Sequence, residues 1–179
     1  MSTGASDFQP RNQKDDQFYV IVDVKDPTNP KEAGRWWFPG TREGDDAPAL
    51  PRHPQFDAGN RLHNGNVYPD RPDRAYCAYM DSGVVILDIS DLSNPAMISH
   101  INYAPPFPGF THTVLPLFSR DLMVVTQEAV RQNGEDWPKL VWIMDIRDET
   151  NPVIISTLPM PDTNDFFGRP GRFGAHNVY

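Results

Sequence analysis

VVILDISDLSNPAMIS, residues 84–99, is the stretch that decides the fold, because its pattern occurs three times. FYVIVDVKDPTNPKEAG at 18–34 and VWIMDIRDETNPVIIS at 141–156 share its internal logic. Each opens on a β-branched or aromatic run (Val20, Ile21, Val22; Val84, Val85, Ile86; Val141, Trp142, Ile143) that reaches Asp23, Asp88 or Asp145. Such a run reads as a strand. A polar stretch follows and ends in Asn29-Pro30, Asn94-Pro95 or Asn151-Pro152, where proline fixes φ and Asp26, Asp91 or Asp148 accepts backbone bonds across a turn. The apolar residues after each proline supply a second strand and close a hairpin.

Between copies lies another strand pair. In one unit it is Asn66-Val67-Tyr68, then Ala75 to Met80, then a turn at Asp81-Ser82-Gly83; in the next it is Thr113 to Leu117, then Leu122 to Thr126. Four antiparallel strands in units of roughly 40–50 residues, recurring in series, are what a β-propeller blade requires. The strand, aspartate, turn and Asn-Pro element resembles the LVIVD repeat of bacterial β-propellers. That resemblance spans nearly the whole chain, but its motif defines a blade and not a reaction.

The expected fold is therefore all-β: a partial propeller ring of two full blades with parts of two others. A polar leader over 1–16 is expected to be disordered. One incomplete propeller domain over 17–179 follows, with blades at about 17–38, 62–104, 111–159 and 175–179. Propellers close with 4–8 blades, so the ring needs the remaining blades of a longer chain or self-association.

The formal charge of −8 repels a phosphate backbone, and no basic stripe with interleaved aromatics is present. Nucleic acid is not an expected partner. No segment approaches the roughly 20 apolar residues of a membrane span, and residues 1–10 lack the regions of a signal peptide. The single Cys77 rules out an internal disulfide and favours a reducing, cytoplasmic compartment, with export open if a true N-terminus precedes this sequence.

Chemistry turns on histidine. Of five histidines, three hold one place in the unit: His63 before Asn66-Val67-Tyr68, His112 before Val114-Leu115, and His176 before Val178-Tyr179. Each opens a first strand, the strand that lines the central channel of a propeller. One imidazole per blade gives a ring of metal-ligating side chains suited to Zn, Fe, Cu or Mn. Carotenoid oxygenases hold iron through inner-strand histidines, and the selenium-binding or methanethiol oxidase family is distantly similar in its channel histidines. No longer motif places the chain in either family. WD-repeat propellers carry a comparable histidine that only hydrogen-bonds, so spacing supports a structural role equally. His53 and His100 fall outside the pattern.

Loops entering the first strands lie on the face of the His ring, and the one at 38–61 is far longer than the usual 2–6 residues. It carries Arg42, Asp45, Arg52 and His53, while the segment before His176 carries Arg169, Arg172 and Phe173. Arginines beside aromatics suit a small aromatic or carboxylate-bearing ligand. Glu128, ending a second strand on the same side, is a candidate general base or partner of the histidines. Walker, GxSxG, GxGxxG and HExxH motifs are absent from the sequence. Two functions follow: a metal-dependent hydrolase or oxidoreductase, or a non-catalytic propeller serving as a protein-binding or surface-display scaffold.

Overall fold

A computed structural model describes residues 2–3, 5–104, 106–160 and 170–179. Among these residues it contains eleven strands, three single 3-10 turns and no α-helix. The strands are β1 (Ser2–Thr3), β2 (Phe18–Asp23), β3 (Lys31–Trp36), β4 (Leu62–Tyr68), β5 (Arg71–Tyr79), β6 (Gly83–Asp88), β7 (Ala96–Ile101), β8 (Thr111–Leu117), β9 (Leu122–Gln127), β10 (Val141–Asp145) and β11 (Val153–Thr157). They form three antiparallel sheets in the orders β1-β2-β3, β4-β5-β6-β7 and β8-β9-β10-β11. This is the blade arrangement of a partial propeller.

The three copies fold alike down to single hydrogen bonds. Asp26, Asp91 and Asp148 each accept from the backbone N–H and the hydroxyl two residues on, at Thr28, Ser93 and Thr150, with hydroxyl distances of 2.7 Å. The backbone N–H of Asn29, Asn94 and Asn151 returns to the carbonyl of the same aspartate. A bulge breaks the register of every hairpin at the same step: Ile21/Val22, Ile86/Leu87 and Ile143/Met144. These turns form from residues two or three apart, so each repeat carries its own hairpin instructions.

Strand alternation then decides which face meets which neighbour. On β5 and β6, Ala75, Cys77, Tyr79, Val85 and Leu87 join Tyr19, Ile21 and Trp36 of the first sheet in one core. Tyr76, Ala78, Val84 and Ile86 point the other way, onto Val125, Trp142 and Met144 of the third sheet. Across the second interface Glu149 accepts from the Tyr76 hydroxyl and pairs with Arg74 at 3.3 Å. Tyr19 and Ile21, Val84 and Ile86, and Val141 and Ile143 are equivalent positions of successive repeats; the first two pairs face the following sheet, and Val141 and Ile143 lie on the face of β10 opposite Trp142 and Met144.

Residues 5–16, read from the sequence as part of a polar leader, pack against the first sheet. Phe8 is 5% exposed and packs on Phe18, with ring centroids 4.5 Å apart, and on Trp37, covering the face of β2 that also carries Val20. Arg11 donates to the carbonyls of Asp45 and Ala47, and Asp15 is buried against Arg52 at 2.9 Å. An apolar sheet face that would otherwise meet water, together with these ion pairs, holds residues 5–16 in place. β1 was likewise outside the expectation: Ser2 and Thr3 pair with Tyr19 and Phe18, where a second blade strand would lie. Residues 175–179, read as the start of a first strand, carry no strand pairing, although the His176 carbonyl accepts from Thr126 Oγ1 at 2.6 Å.

Candidate metal centre

β4 and β8 begin side by side, because the second and third sheets pack face to face. Asn64 Nδ2 donates to the His112 carbonyl at 2.8 Å and ties the two strand starts together. His63 and His112 thereby meet with ring centroids 4.3 Å apart, although 49 residues separate them. The His176 ring stands 4.0 Å from that of His112. Glu128 follows β9 and turns inward, its N–H donating to the Phe110 carbonyl at 3.0 Å. Its Oε2 lies 3.8 Å from His112 Nε2 and 3.6 Å from His176 Nε2. One ligand-capable atom from each of His63, His112 and Glu128 lies within 4.8 Å of the others.

Hydrogen bonds orient His112. Thr113 Oγ1 lies 2.8 Å from His112 Nδ1 and also reaches the His176 carbonyl at 3.4 Å. In the tautomer that donates from Nδ1 to Thr113, Nε2 presents a lone pair to the cluster. Burial, reinforced by His63 and His176, pushes the His112 pKa down to about 4. Burial also lowers that of His63, against the opposing charge of Glu128. Both imidazoles are neutral near pH 7, the form that ligates a metal.

The segment between β7 and β8 is locked from three sides. Buried Asp81 accepts backbone N–H bonds from Ala58, Gly59 and Phe110, the last at 3.2 Å. A Cβ at Gly109 would stand 2.2 Å from Asp81 Oδ1, so the close approach needs glycine. Gln127 Nε2 donates to the carbonyls of Pro108 and Gly109, while its Oε1 accepts from Leu140 N–H and the Trp142 indole. Lys139 Nζ donates to the Gly109 carbonyl at 2.9 Å and pairs with Asp136 at 3.3 Å, in a side-chain pair only 2% and 1% exposed. Phe110 adopts φ of 66°, uncommon for a bulky residue, and sets its ring 5.3 Å from that of His63.

Of the predicted residues, the structure brings His63, His112, His176 and Glu128 together. Arg172 reaches Glu128 Oε1 at 3.9 Å. With Phe173 it lines a cavity of about 400 Å³ shared with Trp137, Lys139, Leu158 and Met160. Arg169 lies outside the described residues. The 38–61 loop is held by its own contacts: Asp45 accepts from the Trp37 indole, Arg42 stacks on Trp37 at 4.8 Å, and Arg52 grips Asp15 and Asp57. His53 Nδ1 accepts from the backbone of Gln55 and Phe56, and His100 bonds the Ser82 carbonyl; neither joins the cluster. Sequence reading missed Phe110, Thr113 and the Asp136–Lys139 pair, of which only Thr113, flanking a repeated histidine, carried a signal.

A family model described as the LVIVD repeat matches residues 15–36 and 73–103. The third copy, at 141–156, falls outside the matched residues but forms the same hairpin. No curated protein and no solved structure matches the chain. No helix among the described residues is long and apolar enough to cross a membrane.

Proposed function

We propose, from the premise that this chain is an LVIVD-repeat protein of propeller-like fold, that His63, His112, His176 and Glu128 hold a divalent transition metal (Zn, Fe, Cu or Mn). One observation carries the reading. His112 Nε2 stands 3.8 Å and His176 Nε2 3.6 Å from the same Glu128 oxygen, and one ligand-capable atom from each of His63, His112 and Glu128 lies within 4.8 Å of the others. Two ligand atoms on one tetrahedral ion lie about 3.4 Å apart, given metal–nitrogen bonds of about 2.1 Å. A cation placed there is within reach of the His63, His112 and Glu128 ligand atoms, and Glu128 then serves as a ligand rather than a free base.

The activity we propose is that of a metal-dependent hydrolase or oxidoreductase acting on a small aromatic or carboxylate-bearing molecule. A bound ion of this kind lowers the pKa of a water or activates dioxygen. The chain's own groups supply the rest. Thr113 fixes the His112 ring, the Asp81, Gln127 and Lys139 contacts hold the segment before β8, and Arg172 with Phe173 borders the cavity next to Glu128.

A second reading has its own support. Val153, Ile155, Leu158 and Met160 expose 49%, 54%, 50% and 42% of their surface, an apolar strip of the kind a protein-binding scaffold presents. Metal content, measured by mass spectrometry on untagged protein beside His112→Ala, separates the two. Near-stoichiometric metal that falls away in the variant supports the centre. Metal-free, folded wild-type protein makes the histidines structural and turns attention to protein partners.

A further inference from the structure

Resting on the reading of the histidine cluster as a metal centre, we propose that the cleft on its His63 side binds a small organic carboxylate with an aromatic body. The cleft holds about 300 Å³ and is bounded by Lys14, Phe56, Arg61, Phe110, Val130 and Arg131. It is distinct from the cavity of Arg172 and Phe173, which shares none of these residues.

Charge selects the ligand. The chain carries −8 overall, yet three cations meet at this rim. Two are already matched: Lys14 pairs with Asp57 at 3.2 Å and Arg61 with Asp16 at 2.9 Å. Asp57, which also lines the cleft, is further neutralised by Arg52 at 2.8 Å. The Arg131 guanidinium has no carboxylate partner among the described residues; only its backbone N–H is engaged, by Asp136. An arginine with no counter-charge at the edge of a cleft that also carries aromatic side chains is suited to an anion it can grip through two N–H groups. Phe56, Phe110 and Val130 supply apolar lining, which a bare inorganic anion would leave uncovered and an aromatic ring would cover.

Phe110 connects this cleft to the centre. Its left-handed backbone is held from both sides, by its N–H on Asp81 and by Glu128 N–H on its carbonyl. Glycine would occupy this conformation without strain; phenylalanine here sets one ring as the wall shared by the cleft and His63. A ligand resting on that wall lies beside the proposed ion, and its carboxylate points to Arg131.

The test is a fluorescence titration of 2-naphthoate into the untagged full chain, as purified and after chelator dialysis. 2-Naphthamide serves as the neutral comparison, and metal content is measured on every sample. Arg131→Ala should weaken naphthoate at least about tenfold, and the amide should bind wild type at least about tenfold more weakly, as expected when a charge-assisted pair is lost. Exposed Arg120→Ala should change nothing, and Arg131→Ala should keep wild-type metal content and melting temperature. Equal binding of acid and amide, no binding at millimolar naphthoate, or dependence on Arg172 in place of Arg131 would each overturn the cleft. Protein that is metal-free as purified yet binds naphthoate through Arg131 sinks the metal centre and leaves the cleft standing.

Discussion

His112 Nε2 and Glu128 Oε2 face one another 3.8 Å apart, and His176 Nε2 stands 3.6 Å from the same oxygen. In the tautomer that protonates Nδ1, the ring nitrogen and the carboxylate are both acceptors, a pairing that is unfavourable without a donor or cation between them. The arrangement makes sense when a cation or a proton completes it.

Glu128→Gln separates a ligand from a base. A carboxylate ligand predicts that the amide lowers metal affinity by at least about tenfold while the fold is retained. Chelator competition followed by metal analysis gives the result. Full metal retention with lost turnover would return Glu128 to general-base duty.

The metal-free protein should lose stability as pH falls through the window set by His112. In the unfolded chain this imidazole takes a proton near pH 6.5, whereas in the fold burial delays protonation to about pH 4. Between those values the unfolded state binds more protons, so stability rises with pH there. Asp81, whose pKa is raised by burial, works in the opposite direction, and the comparison with His112→Gln isolates the histidine. Urea unfolding in chelator at pH 4.5 and pH 7 is the measurement. An identical pH difference in the variant would refute the assignment.

Phe8→Ala tests the packed leader. Removing this buried ring from its place on Phe18 and Trp37 should cost about 3 kcal/mol, within the usual range for a buried phenylalanine. A disordered leader predicts no change in denaturation midpoint.

The Asp136–Lys139 pair should behave as a coupled unit. Lys139→Met leaves Asp136 buried without its cation, a loss of about 3–5 kcal/mol for such pairs. Adding Asp136→Leu should restore part of that stability. Strict additivity in the double-mutant cycle would mean that the two side chains do not act together.

The apolar positions carried the fold openly. Phe18 and Val20 against Tyr19 and Ile21, or Val85 and Leu87 against Val84 and Ile86, already divide into two faces by alternation, because a strand has a period of two. The aspartate turns were equally legible, since their bonds run between residues two or three apart in sequence. The one-per-blade phase of His63, His112 and His176 could also be read directly. Tertiary structure decided the rest, because it depends on contacts between residues distant in the chain. Packing of the second sheet on the third set His63 against His112, and the inward turn after β9 added Glu128. Phe8 had no local signal of burial; only the uncovered face of β2 gave it a place. Phe110 carried no sequence signal; its N–H bond to Asp81 and the Glu128 N–H bond to its carbonyl fix its left-handed backbone, and its ring stands against His63.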